Sequence, residues 1–228
     1  FLIKDLSPAA GLPVNFGSAL FKDTVAQQNA KIVQRYADAG LNFLGKTNTP
    51  EWGLTLTTEP TLSGACRNPW SLSHSTGGSS GGAAAAVASG IVPAAHASDG
   101  GGSIRIPAAN CGLFGLKPSR GLTVIEGTLA ECWSGFSVGH VVSQTVRDSA
   151  AFLDLITLRD HGLFANPLLN CRDGHFTQCL APAELNPLRI ALVDSHPTGE
   201  TLAPEVQEAL RVAVRLLENL GHRVERCS

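Results

Sequence analysis

The chain has 228 residues, of which 43% are hydrophobic and 16% charged, and its formal net charge is −2. This balance excludes a disordered chain and leaves enough apolar residues for a sizeable core. It gives no electrostatic footprint for a nucleic acid or an anionic membrane. The longest apolar stretch, residues 83–95, is interrupted by Ser89, Gly90 and Pro93 and is too short to span a bilayer.

Cysteine usage bounds the metal chemistry and the compartment. None of the six cysteines lies in a CxxC pair, so a zinc site is not expected. Cys171 and Cys179 are spaced as a disulfide of a secreted protein could be, but no signal peptide is visible, so we expect reduced thiols in the cytoplasm. The chain begins with Phe1 and contains no methionine, which fits a fragment or a processed chain.

The first elements alternate between strand and helix. Residues 1–3 form an apolar run that predicts a strand. Helical spacing over 26–39, followed by Gly40, predicts a helix and its end. Residues 41–44 predict a buried strand, and 63–76 read as a polar loop.

Further elements follow around the glycine-rich segments. Small residues over 82–89 predict a closely packed helix, and 91–97 predict a strand that ends near Asp99. Residues 111–116 form another short apolar stretch. Asp148 is predicted as the N-cap of a helix that continues through Leu155.

The last part of the chain reads as a second strand–helix–strand unit. Residues 158–186 show no clear period and are predicted as an irregular insertion. A strand is predicted over 188–193, a helix over 203–220 and the opening of a strand over 223–227. Alternation of strands and helices favours an α/β layered fold.

Two serines in glycine clusters are the clearest chemical signal. Ser79 lies within GGSSGG, and Ser103 follows three glycines in DGGGS. Glycine lets the backbone approach a ligand closely, so each serine is surrounded by accessible N–H groups. These are the parts of a serine nucleophile and an oxyanion hole. A flexible linker does not fit, because the residues between the clusters are apolar.

Three other patterns compete for these residues. Residues 40–47 match GxxxxGK[ST], but a helix precedes them where a P-loop requires a strand before it and a helix after it. Residues 77–81 match the GxSxG nucleophile elbow, which needs a downstream acid and histidine and leaves 99–105 unexplained. His96 lies shortly before Ser103 and suggests a Ser/His pair. A histidine at the end of a buried strand is more often a core residue.

Residues 77–120, with GGSSGG and SDGGGSIRIPAANCGLFGLKPS, are similar to the signature of the amidase signature family of Ser–cis-Ser–Lys hydrolases. Residues 1–5, FLIKD, resemble the family's strand that carries the catalytic lysine, and 45–51 resemble its Gly-Lys-Thr-Asn segment. The likeness covers about residues 1–157, and 188–222 resemble the beginning of the family's later half.

The resemblance implies an α/β fold, the amidase signature fold, with a mixed central β-sheet covered by helices on both faces and incomplete in this chain. It divides the chain into an amidase signature core with the catalytic triad at 1–157, an irregular insertion at 158–187 and the start of the C-terminal α/β part at 188–228.

It also implies the catalytic roles. Ser103 is the expected nucleophile, and Ser79, held by a cis Gly78–Ser79 bond, is the expected proton relay. Lys4 is the expected base, and burial should lower its pKa so that it is neutral. Lys46 is the competing lysine and is expected to be a structural charge.

Supporting residues follow from the same likeness. The amides of Gly100, Gly101, Gly102 and Ser103 are expected to face the oxyanion. Ser80 is expected either to join the relay or to hold the turn. The remaining pair, Asp99 and Arg105, is expected to brace the loop. Neither a metal nor an organic cofactor is expected.

The expected activity is hydrolysis of a small-molecule amide, with no nucleic acid or membrane partner and with a homodimer as an open possibility. DGGGSIRIPA is most similar to bacterial amidases of the kind that includes cyclic nylon-oligomer hydrolases. The alternatives are an amidotransferase subunit that acts on misacylated tRNA and an inactive fragment. Residues 132–140 depart from the stretch expected in amidotransferase subunits. Within them, Trp133 and Phe136 are expected to line an acyl pocket or to pack in the core.

Overall fold

The computed structural model describes residues 1–124, 133–158, 175–180, 186–196 and 198–227. It divides into two compact units, Phe1–Ala181 and Pro182–Ser228. The strands are β1 Leu2–Lys4, β2 Gly45–Thr47, β3 Arg67–Asn68, β4 Ser71–Ser75, β5 Ala94–Asp99, β6 Phe114–Gly115, β7 Val138–Ser143, β8 Arg189–Leu192 and β9 Arg223–Arg226. The α-helices are α1 Lys31–Asp38, α2 Gly81–Ala88, α3 Arg105–Asn110, α4 Val146–Ile156 and α5 Pro204–Asn219.

A buried three-stranded sheet forms the centre of the first unit. Its order is β5–β7–β6, and both pairs are antiparallel. Every residue of β5 and β7 is buried. Beside it, β1 pairs with β2 in parallel, with Leu2 opposite Gly45 and Lys4 opposite Thr47. The strands of this unit therefore form both parallel and antiparallel pairs.

Helices cover both faces of this sheet. Successive side chains of a strand point to opposite faces, and β7 shows this directly. Val141 packs in a cluster with Ile32 of α1 and Ile156 of α4. The next residue, Val142, packs in a second cluster with Val87 of α2. The predicted α/β architecture, with helices on both faces of a mixed sheet, is confirmed.

The central strand β7 was absent from the sequence-based prediction. Its residues, VGHVVS, include a glycine and a histidine that interrupt the apolar run. Burial on both faces explains why no alternation marks it, since neither side of the strand meets water. The histidine, His140, is completely buried, and its Nε2 lies 2.7 Å from Ser149 Oγ.

Two predicted boundaries in the first part of the chain are wrong. The helix starts at Lys31 rather than at residue 26, because the amides of Ala26 and Ala30 donate to the carbonyls of Leu12 and Pro8. The strand predicted over 41–44 lies further along the chain, as β2. Pairing with β1 decides that register, and Leu44 before it is exposed.

The segment predicted as a polar loop, 63–76, contains the antiparallel pair β3–β4. Its serine-rich sequence has low strand propensity, so pairing rather than composition forms it. The N-cap of α4 is Thr145, not Asp148. The Thr145 hydroxyl accepts from the Asp148 amide at 3.0 Å and donates to its carboxylate at 2.7 Å.

The small-residue helix α2 and the strand β5 are confirmed, with bounds close to those predicted. In the second unit, β8 and β9 pair in parallel and α5 connects them, as predicted. Pro204 begins α5, where its missing N–H costs nothing. The predicted insertion lies mostly outside the described residues, which include a 3-10 helix at Phe176–Leu180.

Within the described ranges, no helix combines the length and the apolar character needed to cross a bilayer.

Candidate active site

The side chain of Lys4 ends among serine hydroxyls in the interior. Lys4, at the end of β1, is completely buried. Its Nζ donates to Ser79 Oγ at 2.7 Å and to Ser98 Oγ at 3.0 Å. A weaker contact joins Nζ to the Ser98 carbonyl at 3.5 Å. An amine and a hydroxyl at 2.7 Å are close enough to exchange a proton.

The turn before α2 positions Ser79. The Gly78–Ser79 peptide bond is cis, as the sequence resemblance implies. Thr49 Oγ1 donates to the Ser79 carbonyl at 2.9 Å, and Ser79 itself is 2% exposed. A methyl group at Gly53 would lie 3.1 Å from Ser79 Oγ, so only glycine lets this neighbouring segment approach the hydroxyl.

The Asp99 carboxylate organises the loop between β5 and α3 that carries Ser103. It accepts from the amides of Gly102 at 2.7 Å and Ile104 at 3.1 Å, and from Arg105 Nε at 2.9 Å and Nη2 at 3.0 Å. Burial acts to raise the pKa of Asp99, but the hydrogen bonds from Arg105, Gly102 and Ile104 outweigh it and hold that pKa below its usual value. The predicted pairing of Asp99 with Arg105 is confirmed.

The two glycine-flanked serines belong to adjoining segments. The Ser80 amide donates to the Ser103 carbonyl at 3.3 Å. Ser103 is half-buried, whereas Ser79 is inaccessible to solvent. No hydrogen bond between the Ser79 and Ser103 hydroxyls is present in the part of the chain that the structure describes. Catalytic hydrogen bonds commonly shorten when substrate binds.

The amides of the glycine loop are not equivalent. The Gly102 amide donates to Asp99, which narrows the predicted set of oxyanion donors. Among the described residues, no acceptor is present for the amides of Gly100, Gly101 and Ser103. These three N–H groups are the ones available to a substrate oxygen.

The competing lysine lies in a different environment. Lys46 Nζ pairs with Asp5 at 3.0 Å and donates to the carbonyls of Ser7 at 2.9 Å and Pro13 at 3.1 Å. Burial lowers the pKa of Lys46, although the charge of Asp5 acts to raise it. The structure thus brings Lys4, not Lys46, to Ser79.

The family model described as Amidase matches the whole chain, residues 1–228. The chain belongs to this amidase family.

Named relatives of this amidase-family chain act on amides. It is 40% identical over 224 residues to an acylamidase of Rhodococcus erythropolis, covering 98% of the chain and 46% of the relative. It is 40% identical over 234 residues to the 6-aminohexanoate-cyclic-dimer hydrolase of Paenarthrobacter ureafaciens, with coverage of 98% and 46%.

Solved structures show the same fold. A 6-aminohexanoate cyclic dimer hydrolase complexed with substrate superposes with a TM-score of 0.90 at 38% identity, covering 99% of this chain and 48% of that one. A glutamyl-tRNA(Gln) amidotransferase subunit from Thermotoga maritima gives 0.82 at 30% identity, covering 99% and 49%. The chain spans about half the length of these relatives.

The amidase-family site includes two residues of β5 that the sequence-based prediction did not place there. Ser98, with its hydroxyl on Lys4 Nζ, was missed because nothing in the sequence separates it from other strand residues. His96 was weighed as a partner of Ser103, but its Nδ1 accepts from the Lys4 amide at 3.3 Å. It therefore joins β5 to the strand that carries the lysine.

Two further predictions concern the surroundings of this amidase-family site. Ser80 Oγ donates to the Ser98 carbonyl at 3.3 Å and accepts from the Ser98 amide at 3.4 Å, so it holds the turn against β5. Trp133 lies against Gly100, where a methyl group would be 2.9 Å from the ring carbon Cε3. In the described ranges no three His, Cys, Asp or Glu side chains are grouped to hold a metal ion.

Proposed function

We propose that this protein hydrolyses a carbon–nitrogen amide bond through an acyl-enzyme on Ser103, with Ser79 as proton relay and Lys4 as base. The observation that carries the proposal is the 2.7 Å hydrogen bond between Lys4 Nζ and Ser79 Oγ, in a buried site next to the Ser103 loop. The family's hydrolase names support the reaction class.

Acylation follows from the positions of these groups. Ser103 Oγ attacks the carbonyl carbon while its proton passes to Ser79 Oγ, whose own proton passes to Lys4 Nζ. A lysine amine accepts a proton only when neutral, and desolvation favours that form. The amides of Gly100, Gly101 and Ser103 stabilise the oxyanion, and one such donor contributes about 3–4 kcal/mol in other hydrolases.

Collapse of the tetrahedral intermediate breaks the carbon–nitrogen bond. The proton returns from Lys4 through Ser79 to the leaving nitrogen, so the amine departs neutral. Water then attacks the Ser103 ester and gives its proton to the same relay. The carboxylic acid leaves, and Ser103 recovers its hydroxyl proton.

The substrate of this proposal is a small-molecule amide, and the location is the cytoplasm. The cysteines at 66, 111, 179 and 227 are free thiols, as is typical of a reducing compartment. Cys171, the other member of the candidate disulfide, lies outside the described residues. A homodimer stays part of the proposal, to be tested by the mass of the purified protein in solution.

The proposed function is tested by turnover in the presence of hydroxylamine. Wild-type protein with 3-phenylpropanamide should give both the carboxylic acid and the hydroxamate, because hydroxylamine intercepts an acyl-enzyme. Ser103→Ala should abolish both products. Ser73→Ala, an exposed serine of β4, should change neither. Acid formation by Ser103→Ala at the wild-type rate would refute the nucleophile.

A further inference from the structure

Two exposed tryptophans lie beside the proposed catalytic groups. Trp52 directly precedes Gly53, the residue that approaches Ser79 Oγ. The ring of Trp133 packs against Gly100, whose amide is a proposed oxyanion donor. The two residues are 48% and 52% exposed. Large aromatic surfaces are therefore open to solvent next to each of the two serine segments.

The backbone presents both tryptophans in an uncommon conformation. Four non-glycine residues have positive φ in the described part of the chain: Phe16 at 52°, Trp52 at 54°, Trp133 at 52° and Ser134 at 51°. All four lie in the two aromatic segments. L-residues rarely adopt this conformation, and where surroundings impose it, it clusters at ligand-binding sites.

Neighbouring aromatic rings hold Trp52. Its ring stacks on Phe16 with centroids 5.1 Å apart and an interplanar angle of 7°, and it meets Phe21 edge-on at 5.2 Å. The Trp52 amide donates to the Phe16 carbonyl at 2.8 Å. The indole is thus fixed by its own segment, without any contribution from a substrate.

A separate brace holds the Trp133 segment. The Phe136 amide donates to the Trp133 carbonyl at 3.0 Å. The Phe136 ring, 61% exposed, lies under the Arg120 guanidinium at 5.2 Å. An aromatic surface fixed in this way binds a flat or apolar group with little loss of conformational entropy.

We propose that Trp52 and Trp133 form two apolar subsites on opposite sides of the scissile bond, and that the substrate is an amide with apolar or aromatic groups on both its nitrogen and its acyl carbon. The assignment rests on the proposed function. Ser79 returns the proton to the leaving nitrogen, so the subsite beside it takes the amine substituent. Gly100 faces the carbonyl oxygen, so the subsite beside it takes the acyl group.

A crossed set of substrates and variants tests the two subsites. The substrates are propanamide, 3-phenylpropanamide, N-benzylpropanamide and N-benzyl-3-phenylpropanamide, and kcat/KM is measured for each. Trp133→Ala should lower the value for the two phenylpropanoyl substrates by about fivefold to tenfold, as expected for loss of an aromatic contact. Trp52→Ala should do the same for the two N-benzyl substrates.

The control is the third tryptophan, Trp70, which is 73% exposed and donates to the Cys111 carbonyl. Trp70→Ala should leave the ratios among the four substrates unchanged. Unchanged turnover of propanamide by the Trp52 and Trp133 variants shows that they are folded. Equal losses on all four substrates, or losses on the opposite pair, would overturn the inference while leaving the hydrolase assignment intact.

A binding measurement separates this inference from the proposed function. Ser103→Ala cannot turn over substrate, and its intrinsic tryptophan fluorescence reports binding. N-benzyl-3-phenylpropanamide should quench that fluorescence and bind at least about tenfold more tightly than propanamide. Binding without turnover by the wild type would support the subsites and refute the hydrolase. Equal affinities for the two amides would overturn the subsites.

Discussion

The head group of Lys4 is held by two serine hydroxyls. Ser79 is the one that the sequence resemblance identifies, and Ser98 is the one that only the structure shows. A lysine on a flexible stem transfers protons efficiently only when its amine stays aimed at its partner. We therefore regard Ser98 as a positioning residue for the proposed base.

Ser98→Ala should lower kcat by about tenfold, the usual size of one lost hydrogen bond of about 1.4 kcal/mol, and leave KM near its wild-type value. Ser98→Thr keeps the hydroxyl and should recover most of the activity. Steady-state kinetics on 3-phenylpropanamide measure both. A parallel rise in KM, or no recovery with threonine, would mean that Ser98 supports only the fold.

The residues found from the sequence share a property: each lies in a motif whose residue types are unusual together. Ser79, Ser103 and Lys4 were identified in this way. Ser98 and the Asp99 bond to the Gly102 amide were not, because their importance comes from a hydrogen bond that forms only in the packed chain. Sequence reasoning assigned four equivalent amides to the oxyanion, and the Asp99 contact shows that they differ.

At the scale of elements, α2 is the helix that the sequence described best. Its small residues predict close packing, and the structure shows where this occurs. A methyl group at Gly82 would meet the backbone of Asn48, lying 2.7 Å from its carbonyl oxygen. The first turn of α2, which follows Ser79 and Ser80, therefore rests directly on the segment after β2.

Gly82→Ala should lower the free energy of unfolding by about 1–2 kcal/mol, because the overpacking against backbone exceeds the gain in helix propensity. Ala85→Gly, in the same helix, should cost about 1 kcal/mol through propensity alone. Urea unfolding monitored by tryptophan fluorescence measures both. A Gly82→Ala protein more stable than the wild type would contradict the close contact.

Elements were missed where pairing rather than sequence pattern determines the strand. The strand β7 is buried on both faces, and its glycine and histidine disguise it. The register of β2 follows from its pairing with β1, which displaces the strand from the more apolar residues 41–44. By contrast α5, an amphipathic helix with a proline start, was located within one residue at each end.

At the scale of the whole molecule, the buried sheet carries a histidine that resists protonation. Burial lowers the pKa of His140 to about 3, with a further lowering from the neighbouring His96. The unfolded chain binds this proton near the ordinary pKa of 6.5, whereas the folded chain does not. Between these values the unfolded state holds more protons, so stability falls as the pH falls.

The wild-type protein should therefore lose up to about 1.4 kcal/mol of stability per pH unit from this residue between pH 6.5 and pH 3. His140→Gln removes the titrating group and should flatten that part of the profile. His74→Gln, an exposed histidine, should leave it unchanged. Thermal midpoints measured across the pH range give the comparison, and an unaltered slope in His140→Gln would contradict the assignment.

The central claim is that Lys4 activates Ser103 through Ser79, and covalent labelling tests it most directly. A fluorophosphonate reacts with an activated serine, and the rate and site of the adduct are read by peptide mass spectrometry. We predict one adduct, on Ser103. We further predict a labelling rate at least about 100-fold slower in Lys4→Met and near the wild-type rate in Lys46→Met, the matched buried lysine. An adduct on Ser79, or wild-type labelling of Lys4→Met, would contradict the account.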